Sequence, residues 1–201
     1  MRHMKEMVET FSKAEYPVFT AKDVSMALKG SGISADYLYL MLHNLMKKGS
    51  ISRITRGVYT FSDDVAAAGF AFQPFYYGLE SALWLRGISG QGANFVVMTP
   101  RNVRTGVRDF KGRNYRVQRI PKELMFGYEL LRYGKFWVPV SDLEKTVLDI
   151  AVLGYQMSDD ILPEIMKKLD RAKLRRYVKM AAPHLSKGSA ERCSLLLKAL
   201  S

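Results

Sequence analysis

Apolar residues recur every three or four positions in residues 4–15, which is the pattern of an amphipathic helix. Pro17 ends this helix, because proline disfavours a helical conformation in the residue before it. Thr20 and Asp23 form a start signal for a second, shorter helix. The Gly-Ser-Gly sequence at residues 30–32 then predicts a turn.

Ser34 is predicted to cap a third helix, whose apolar residues again repeat at helical spacing. Gly49 stands where a left-handed residue would close that helix. Two short runs at residues 50–54 and 58–61 predict strands joined by a tight turn with Arg56 at its tip. A short helix, a turn, a longer helix and a small hairpin together predict a winged helix-turn-helix.

This N-terminal domain, residues 1–62, has a shape suited to DNA, since a helix fits the major groove and a hairpin reaches the flanking backbone. Winged helices also serve as protein-interaction modules, and a third helix with two tyrosines and no arginine carries little charge for DNA. The residues predicted to contact DNA from this domain are Ser34, Tyr37, Tyr39, His43, Lys47, Arg53 and Arg56.

Residues 63–77 are predicted to link this domain to a second one and are dense in aromatic side chains toward their end. The aromatic rings have two interpretations. They can form a platform on which bases stack, or a packed seam between the two domains. The seam is favoured, because no basic residues interleave with the rings.

Residues 78–201 predict a mixed α+β domain, because a helix and several strands precede a group of terminal helices without a repeating βαβ order. The Ser-Asp-Leu-Glu sequence at residues 141–144 predicts a capping box that opens a helix. The predicted elements are a helix at 78–85, strands at 94–99, 115–120, 128–133 and 135–140, and helices at 142–153, 159–180 and 190–200.

Composition narrows the class of protein. Hydrophobic residues make up 48% of the 201 residues and charged residues 25%, which is typical of a folded domain. The longest uninterrupted apolar run, residues 65–72, is too short to span a membrane. The start of the chain lacks a secretory signal, and Cys193 is the only cysteine, so we expect a cytoplasmic protein without disulfides.

The net charge of +12 is unevenly distributed. Residues 1–73 hold nine basic and seven acidic residues, residues 74–140 hold eleven and four, and residues 141–201 hold eleven and eight. Two stretches, 101–122 and 167–179, are especially basic. The second domain is therefore predicted to contact a polyanion itself. The residues predicted to neutralise phosphates there are Arg101, Arg104, Arg108, Arg113 and Arg116.

Catalysis is not expected. Asp142, Glu144, Lys145 and Asp149 suggest a metal-dependent nuclease, but Asp142 and Glu144 do not share a helix face, and Lys145 and Asp149 form an i,i+4 pair. We therefore predict no catalytic residues, no metal site and no cofactor.

Three segments carry a resemblance to a known family. They are FYYGLESALWLRGI at residues 75–88, YRVQRIP at 115–121 and GKFWVPVSDLEKTVLDIAVL at 134–153, all after the winged helix. In this order they resemble the AbiEi family of antitoxins and regulators. The resemblance implies a repressor that binds inverted repeats in its own promoter, within a toxin–antitoxin or phage-defence operon. It also implies that the second domain counters a nucleotidyltransferase-like toxin without a stable complex.

Two functional hypotheses follow. The first is a DNA-binding autorepressor and antitoxin that uses the winged helix and the basic face of the second domain. The alternative is a protein- or RNA-interaction module whose basic faces engage an acidic toxin or a structured RNA. Because the sequence shows no heptad seam, a monomer in solution is expected.

Overall fold

The computed structural model describes residues 2–30, 32–90, 94–156 and 158–199, and it has the expected α+β composition. Ser31 of the predicted turn and Leu200 at the end of the predicted last helix lie outside the described residues. The helices are Arg2–Ser12 (α1), Ala21–Ala27 (α2), Ala35–Lys47 (α3), Leu79–Leu85 (α4), Leu143–Leu153 (α5), Leu162–Lys168 (α6), Arg171–Ala181 (α7) and Lys187–Ala199 (α8). The strands are Phe19–Thr20 (β1), Ser52–Thr55 (β2), Val58–Thr60 (β3), Tyr76–Tyr77 (β4), Phe95–Thr99 (β5), Gly106–Phe110 (β6), Arg113–Arg119 (β7), Tyr128–Tyr133 (β8) and Phe136–Ser141 (β9).

The first three helices pack on a three-stranded sheet of order β1-β3-β2, in which both pairs are antiparallel. Local signals position the helices as predicted. Thr20 and Asp23 form a complete capping box at the start of α2, and the Ser34 hydroxyl accepts a hydrogen bond from the Tyr37 amide at the start of α3. The first helix ends at Ser12, earlier than the predicted residue 15. The two-residue strand β1 was not predicted, because its pairing with β3 is a contact between distant residues.

A six-stranded sheet of order β6-β7-β5-β4-β9-β8 forms the centre of the remaining chain. The β5–β7 and β4–β9 pairs are parallel and the other pairs are antiparallel. Strands β5, β7, β8 and β9 lie close to their predicted positions. Strands β4 and β6 were missed, since β4 has two residues and β6 is largely exposed and lacks a clear apolar alternation.

The two faces of this sheet are covered differently. Side chains that alternate along the strands divide between two clusters, with Val97 on one face and Val96 on the other. The first face is covered by a buried 3₁₀ segment, Val65–Phe72, and the second face by α5, α7 and α8. We call these the 3₁₀ face and the helix face of the sheet.

The aromatic residues of the predicted linker are interior residues. Phe70, Phe72, Phe75, Tyr76 and Tyr77 are all buried, so their rings are not available to stack with bases. The seam interpretation agrees with this burial, since the Tyr16 and Phe70 rings meet edge to face with centroids 5.2 Å apart. The domain boundaries at residues 62 and 77 stay a prediction, although 65–77 contributes core residues to the larger sheet.

The close approach of the 3₁₀ segment to the sheet requires glycine at position 69. The Tyr77 hydroxyl donates to the Ala66 carbonyl at 2.6 Å and accepts from the Gly69 amide at 3.0 Å. A Cβ atom at Gly69 would stand 2.3 Å from Phe75 Cε2 and 2.5 Å from the Tyr77 hydroxyl. Both neighbours are buried, so neither ring has room to move.

Replacing Gly69 by alanine is therefore expected to lower the free energy of unfolding by about 1–3 kcal/mol, through overpacking. Gly90 is a matched control, because a Cβ there meets nothing within 4 Å and its backbone is not left-handed. Urea unfolding of the two variants measures the difference. Equal stabilities would contradict the tight contact between the 3₁₀ segment and the sheet.

Two predictions about the C-terminal helices were wrong. The residue that caps α5 is Asp142, whose carboxylate accepts from the Lys145 amide, rather than Ser141 paired with Glu144. Glu144 instead accepts a hydrogen bond from the Asp170 amide at 2.9 Å. The helix expected at 159–180 is interrupted at Leu169, where the backbone is extended, and Asp170 caps a new helix, α7.

Candidate nucleic-acid interface

The outer side of α3 carries the predicted DNA-contacting residues. Leu38, Leu42 and Leu45 face the core, as expected from their spacing. Tyr37 is 41% exposed and Tyr39 is 59% exposed. The remaining predicted residues of this helix, all of them exposed, are Ser34, His43 and Lys47.

The β2–β3 hairpin presents two exposed arginines, Arg53 and Arg56. Gly57 has a φ of +77° in the turn, a conformation that favours glycine. The register of β2 against β3 shifts between Arg53 and Thr55, so a β-bulge lies directly before Arg56. The tip of the hairpin, with Thr55 and Arg56, lies beside residues of the second part of the chain.

A cleft of about 270 Å³ lies where this hairpin meets the larger sheet. We call it the arginine cleft. Among the described residues, its lining includes four arginines and no acidic side chain. The lining residues are Thr55, Arg56, Val58, Ala71, Phe72, Arg101, Val103, Arg104 and Arg108.

Two of the four arginines are held in place by the backbone. Arg101 donates from Nη1 to the Ala71 carbonyl at 3.0 Å, and Arg108 donates from Nη2 to the Arg104 carbonyl at 2.7 Å. The Arg108 guanidinium also lies 5.0 Å from the centroid of the Phe72 ring. No carboxylate among the described residues neutralises these cations, so positive charge is concentrated in the cleft.

The structure separates the other two predicted arginines from this cleft. Arg116 lies on the helix face of the sheet, with its guanidinium 5.6 Å from the centroid of the Tyr155 ring. Arg113 is exposed at the first residue of β7, beside the turn where Lys111 pairs with Asp63. The second basic stretch, residues 167–179, also lies on the helix face, in α6 and α7. The basic residues of the second domain therefore form separate surfaces.

Sequence reasoning missed that Arg56 and Arg101 belong to one site. The two residues were assigned to different domains, and no local pattern links them. The contact of the Phe72 ring with Arg108 was also missed, because this ring had been considered only as part of a base-stacking platform or of a seam. The only sequence signal available was the absence of acidic residues between Arg101 and Arg108.

The acidic residues near α5 have structural partners. Lys173 Nζ lies 3.0 Å from both Asp142 Oδ2 and Glu144 Oε2, and Tyr177 donates to Asp142 Oδ2 at 2.8 Å. Burial and the bond to Asp142 raise the pKa of Tyr177 to about 12. Burial alone would lower the pKa of Lys173, but its bonds to the two carboxylates outweigh burial and raise it. These contacts join α5 to α7.

Within the described parts of the chain, no three or more histidine, cysteine, aspartate or glutamate side chains gather as a metal site would require. Cys193 is buried, and burial raises the pKa of its thiol. The described helices include none that is long and apolar enough to cross a membrane.

Comparison with known proteins tests the family resemblance. Residues 6–62 match a family model described as "Transcriptional regulator, AbiEi antitoxin". Over these residues the chain is similar to the AbiEi antitoxin family. The AbiEi match includes α3, the β2–β3 hairpin and Arg56, and it supports a regulatory antitoxin role for the chain.

Almost the whole chain is similar in fold to a solved structure. The crystal structure of the RV2827C protein from Mycobacterium tuberculosis superimposes with a TM-score of 0.62 and is 16% identical in sequence. The match covers 98% of this chain and 77% of that one. At this identity the likeness shows the fold alone, and it extends beyond residues 6–62 to the six-stranded sheet. No curated protein matches the chain significantly.

Proposed function

We propose that the chain is a DNA-binding autorepressor and antitoxin, in which residues 1–62 act as a winged helix-turn-helix on repeats in its own promoter. The arginine cleft is the observation that carries this proposal. It places fixed cations directly beside the hairpin that serves as the wing, where the backbone of a bound duplex would continue from the major groove. A cytoplasmic location follows from this function.

The two parts of the chain would make different kinds of contact with DNA. Tyr37, Tyr39 and His43 on α3 would face base edges and neighbouring phosphates. Arg56 and the arginine cleft would neutralise the flanking backbone, which supplies affinity but little sequence discrimination. This division supplies the cations that α3 lacks, because the only basic residue α3 offers, apart from histidine, is Lys47.

The direct test is a gel-shift titration with the DNA immediately upstream of the coding sequence, against a scrambled duplex of equal length and composition. Preferential retardation of the upstream DNA is expected. If neither duplex is retarded at low salt, the chain is not a DNA-binding repressor.

Tyr39 and His43 are expected to set sequence preference. Replacing both by alanine should reduce the preference for upstream over scrambled DNA by about 1–3 kcal/mol for each lost base contact, while non-specific binding persists. Leu195→Ala, at a side chain 64% exposed on α8, is the control and should leave the preference unchanged. An unaltered preference in the double variant would show that α3 does not read the bases.

The antitoxin role is proposed to act on a nucleotidyltransferase-like toxin without a stable complex. The alternative, a surface that binds an acidic toxin or structured RNA, is supported by the exposed Arg175, Arg176 and Lys179 of α7, which lie away from the arginine cleft on the helix face. Coexpression with the product of the neighbouring gene distinguishes the two. Copurification that is lost when these three residues become glutamine would favour the alternative.

A further inference from the structure

Strand β8 forms one edge of the six-stranded sheet and pairs only with β9 among the described strands. The β8–β9 hairpin closes through a two-residue turn whose first residue, Gly134, has a φ of +54°. In such a turn the flanking pair, Tyr133 and Phe136, exchanges both backbone hydrogen bonds. Since hydrogen-bonded pairs alternate along the register, the backbone groups of Tyr128, Leu130 and Arg132 point away from β9.

The side chains at this edge are unusually apolar for an unpaired strand. Leu130 is 62% exposed, Tyr128 is 40% exposed and Trp137, on the adjacent strand, is 51% exposed. The register places these side chains on the helix face, with Arg132 opposite Trp137 and its guanidinium 5.8 Å from the indole centroid. An exposed edge with an apolar row is a surface that pairs readily with another strand.

We propose that β8 pairs antiparallel with β8 of a second copy of this chain, about a two-fold axis at Leu130. This register joins the three residues whose backbone groups point away from β9. Leu130 lies opposite Leu130 of the partner subunit, and Tyr128 lies opposite Arg132 of the partner subunit in both directions. The three facing pairs exchange about six backbone hydrogen bonds and create one continuous twelve-stranded sheet.

The side chains favour a second copy over an unrelated strand. The two-fold register sets leucine against leucine and tyrosine against arginine, which allows apolar and cation–π contacts and places no like charges opposite each other. Glu129 is already paired with Arg86 at 2.9 Å, so no unpaired acid meets the partner's backbone edge. The expectation of a monomer rested on the lack of a helical seam, whereas this interface is formed by a strand.

The other edge of the sheet provides the matched control. Val107 of β6 is 65% exposed, similar to Leu130, but β6 lies beside Arg104, Arg108 and Arg113. Two copies of this basic edge would repel each other. Self-association through β8 alone gives a closed pair, whereas association of β8 with β6 would give open chains.

Sedimentation velocity of the full chain without DNA tests the pairing. The wild type is expected to shift with rising concentration toward twice the 22.9 kDa of one chain. Leu130→Lys should weaken the dimer at least about tenfold, since it sets two lysines directly opposite each other. Val107→Lys should dimerise like the wild type. A wild type that stays monomeric into the high micromolar range, or a dimer that Leu130→Lys leaves intact, would overturn the proposal.

A crosslink decides the register even if Leu130→Lys fails to fold. Cα atoms of facing residues in a hydrogen-bonded pair are about 5.5 Å apart, within the range that a disulfide bridges. Oxidation of Leu130→Cys by diamide, which is reduced to the hydrazine as the disulfide forms, should give a covalent dimer. Val107→Cys should not, and neither should the wild type, whose Cys193 is buried. Absence of the Leu130→Cys dimer would exclude the two-fold register. Neither measurement involves DNA. If the β8–β8 pairing were disproved, the proposed repressor function could therefore still be tested separately.

Discussion

Replacing Lys145 by methionine is expected to lower the free energy of unfolding at neutral pH by about 3–5 kcal/mol, although the new side chain has a similar volume. Lys145 is fully buried and Asp149 is 1% exposed. Lys145 Nζ donates to Asp149 Oδ1, and the Tyr76 hydroxyl donates to Asp149 Oδ2 at 2.8 Å. Without the ammonium group, the Asp149 carboxylate remains in the core, and Tyr76 is the one strong donor left to it among the residues that the structure describes.

The loss of stability in the Lys145→Met variant should depend on pH. Burial raises the pKa of Asp149, and the charge of Lys145 opposes that rise. Removing Lys145 therefore raises the pKa further. A carboxyl group with a raised pKa in the folded protein binds its proton more tightly there than in the unfolded chain, so stability falls as pH rises through the folded pKa. The variant should accordingly recover part of its stability in mild acid.

Urea unfolding at about pH 5 and pH 7 measures both effects. Lys168→Met is the matched control, because Lys168 pairs with Glu164 at the same i,i+4 spacing but both side chains are almost half exposed. That change should cost less than about 0.5 kcal/mol. Adding Asp149→Leu to Lys145→Met should restore much of the stability, since an apolar pair no longer buries a lone charge. A double variant no more stable than Lys145→Met would contradict this account.

The buried pair also shows what the sequence can and cannot reveal. The i,i+4 spacing of Lys145 and Asp149 was recognised, but it is equally typical of an exposed helix pair. Their burial depends on Tyr76, which is 73 positions from Asp149 in the chain. The failed capping-box prediction has the same origin. Ser141 is committed to the sheet, where its hydroxyl contacts Thr146 and the Tyr77 carbonyl, so Asp142 caps the helix instead.

Local signals were sufficient where the structure depends on neighbours in sequence. Thr20, Asp23 and Ser34 cap their helices as predicted because capping requires only residues two or three positions apart. The arginine cleft, in contrast, depends on contacts between residues that are distant in sequence. The arginines were identified from charge, but whether Arg108 or Arg116 joins Arg56 is decided by the face of the six-stranded sheet on which each lies. That assignment requires the register of β6 against β7, and β6 was missed.

Removing Arg56 and Arg104 together is expected to weaken the salt dependence of DNA binding by a definite amount. Each phosphate contact contributes about 0.9 to the slope of log affinity against log salt concentration, so the double alanine variant should lose about 1.8 from that slope. Both side chains are exposed and line the arginine cleft. Arg101 and Arg108 are less suitable targets, because their hydrogen bonds to carbonyl groups also hold the local backbone.

Arg116→Ala is the control, since Arg116 carries the same charge but lies on the opposite face of the sheet. Fluorescence anisotropy with the upstream duplex, titrated at several salt concentrations, gives the slopes. If the double variant lost no more slope than Arg116→Ala, the effect would be one of net charge, and the arginine cleft would not contact the DNA backbone. A loss confined to the double variant would instead show that the wing and the second domain hold the same stretch of phosphates. The modest charge of the N-terminal domain would then suffice for binding, because the larger sheet supplies the cations beside it.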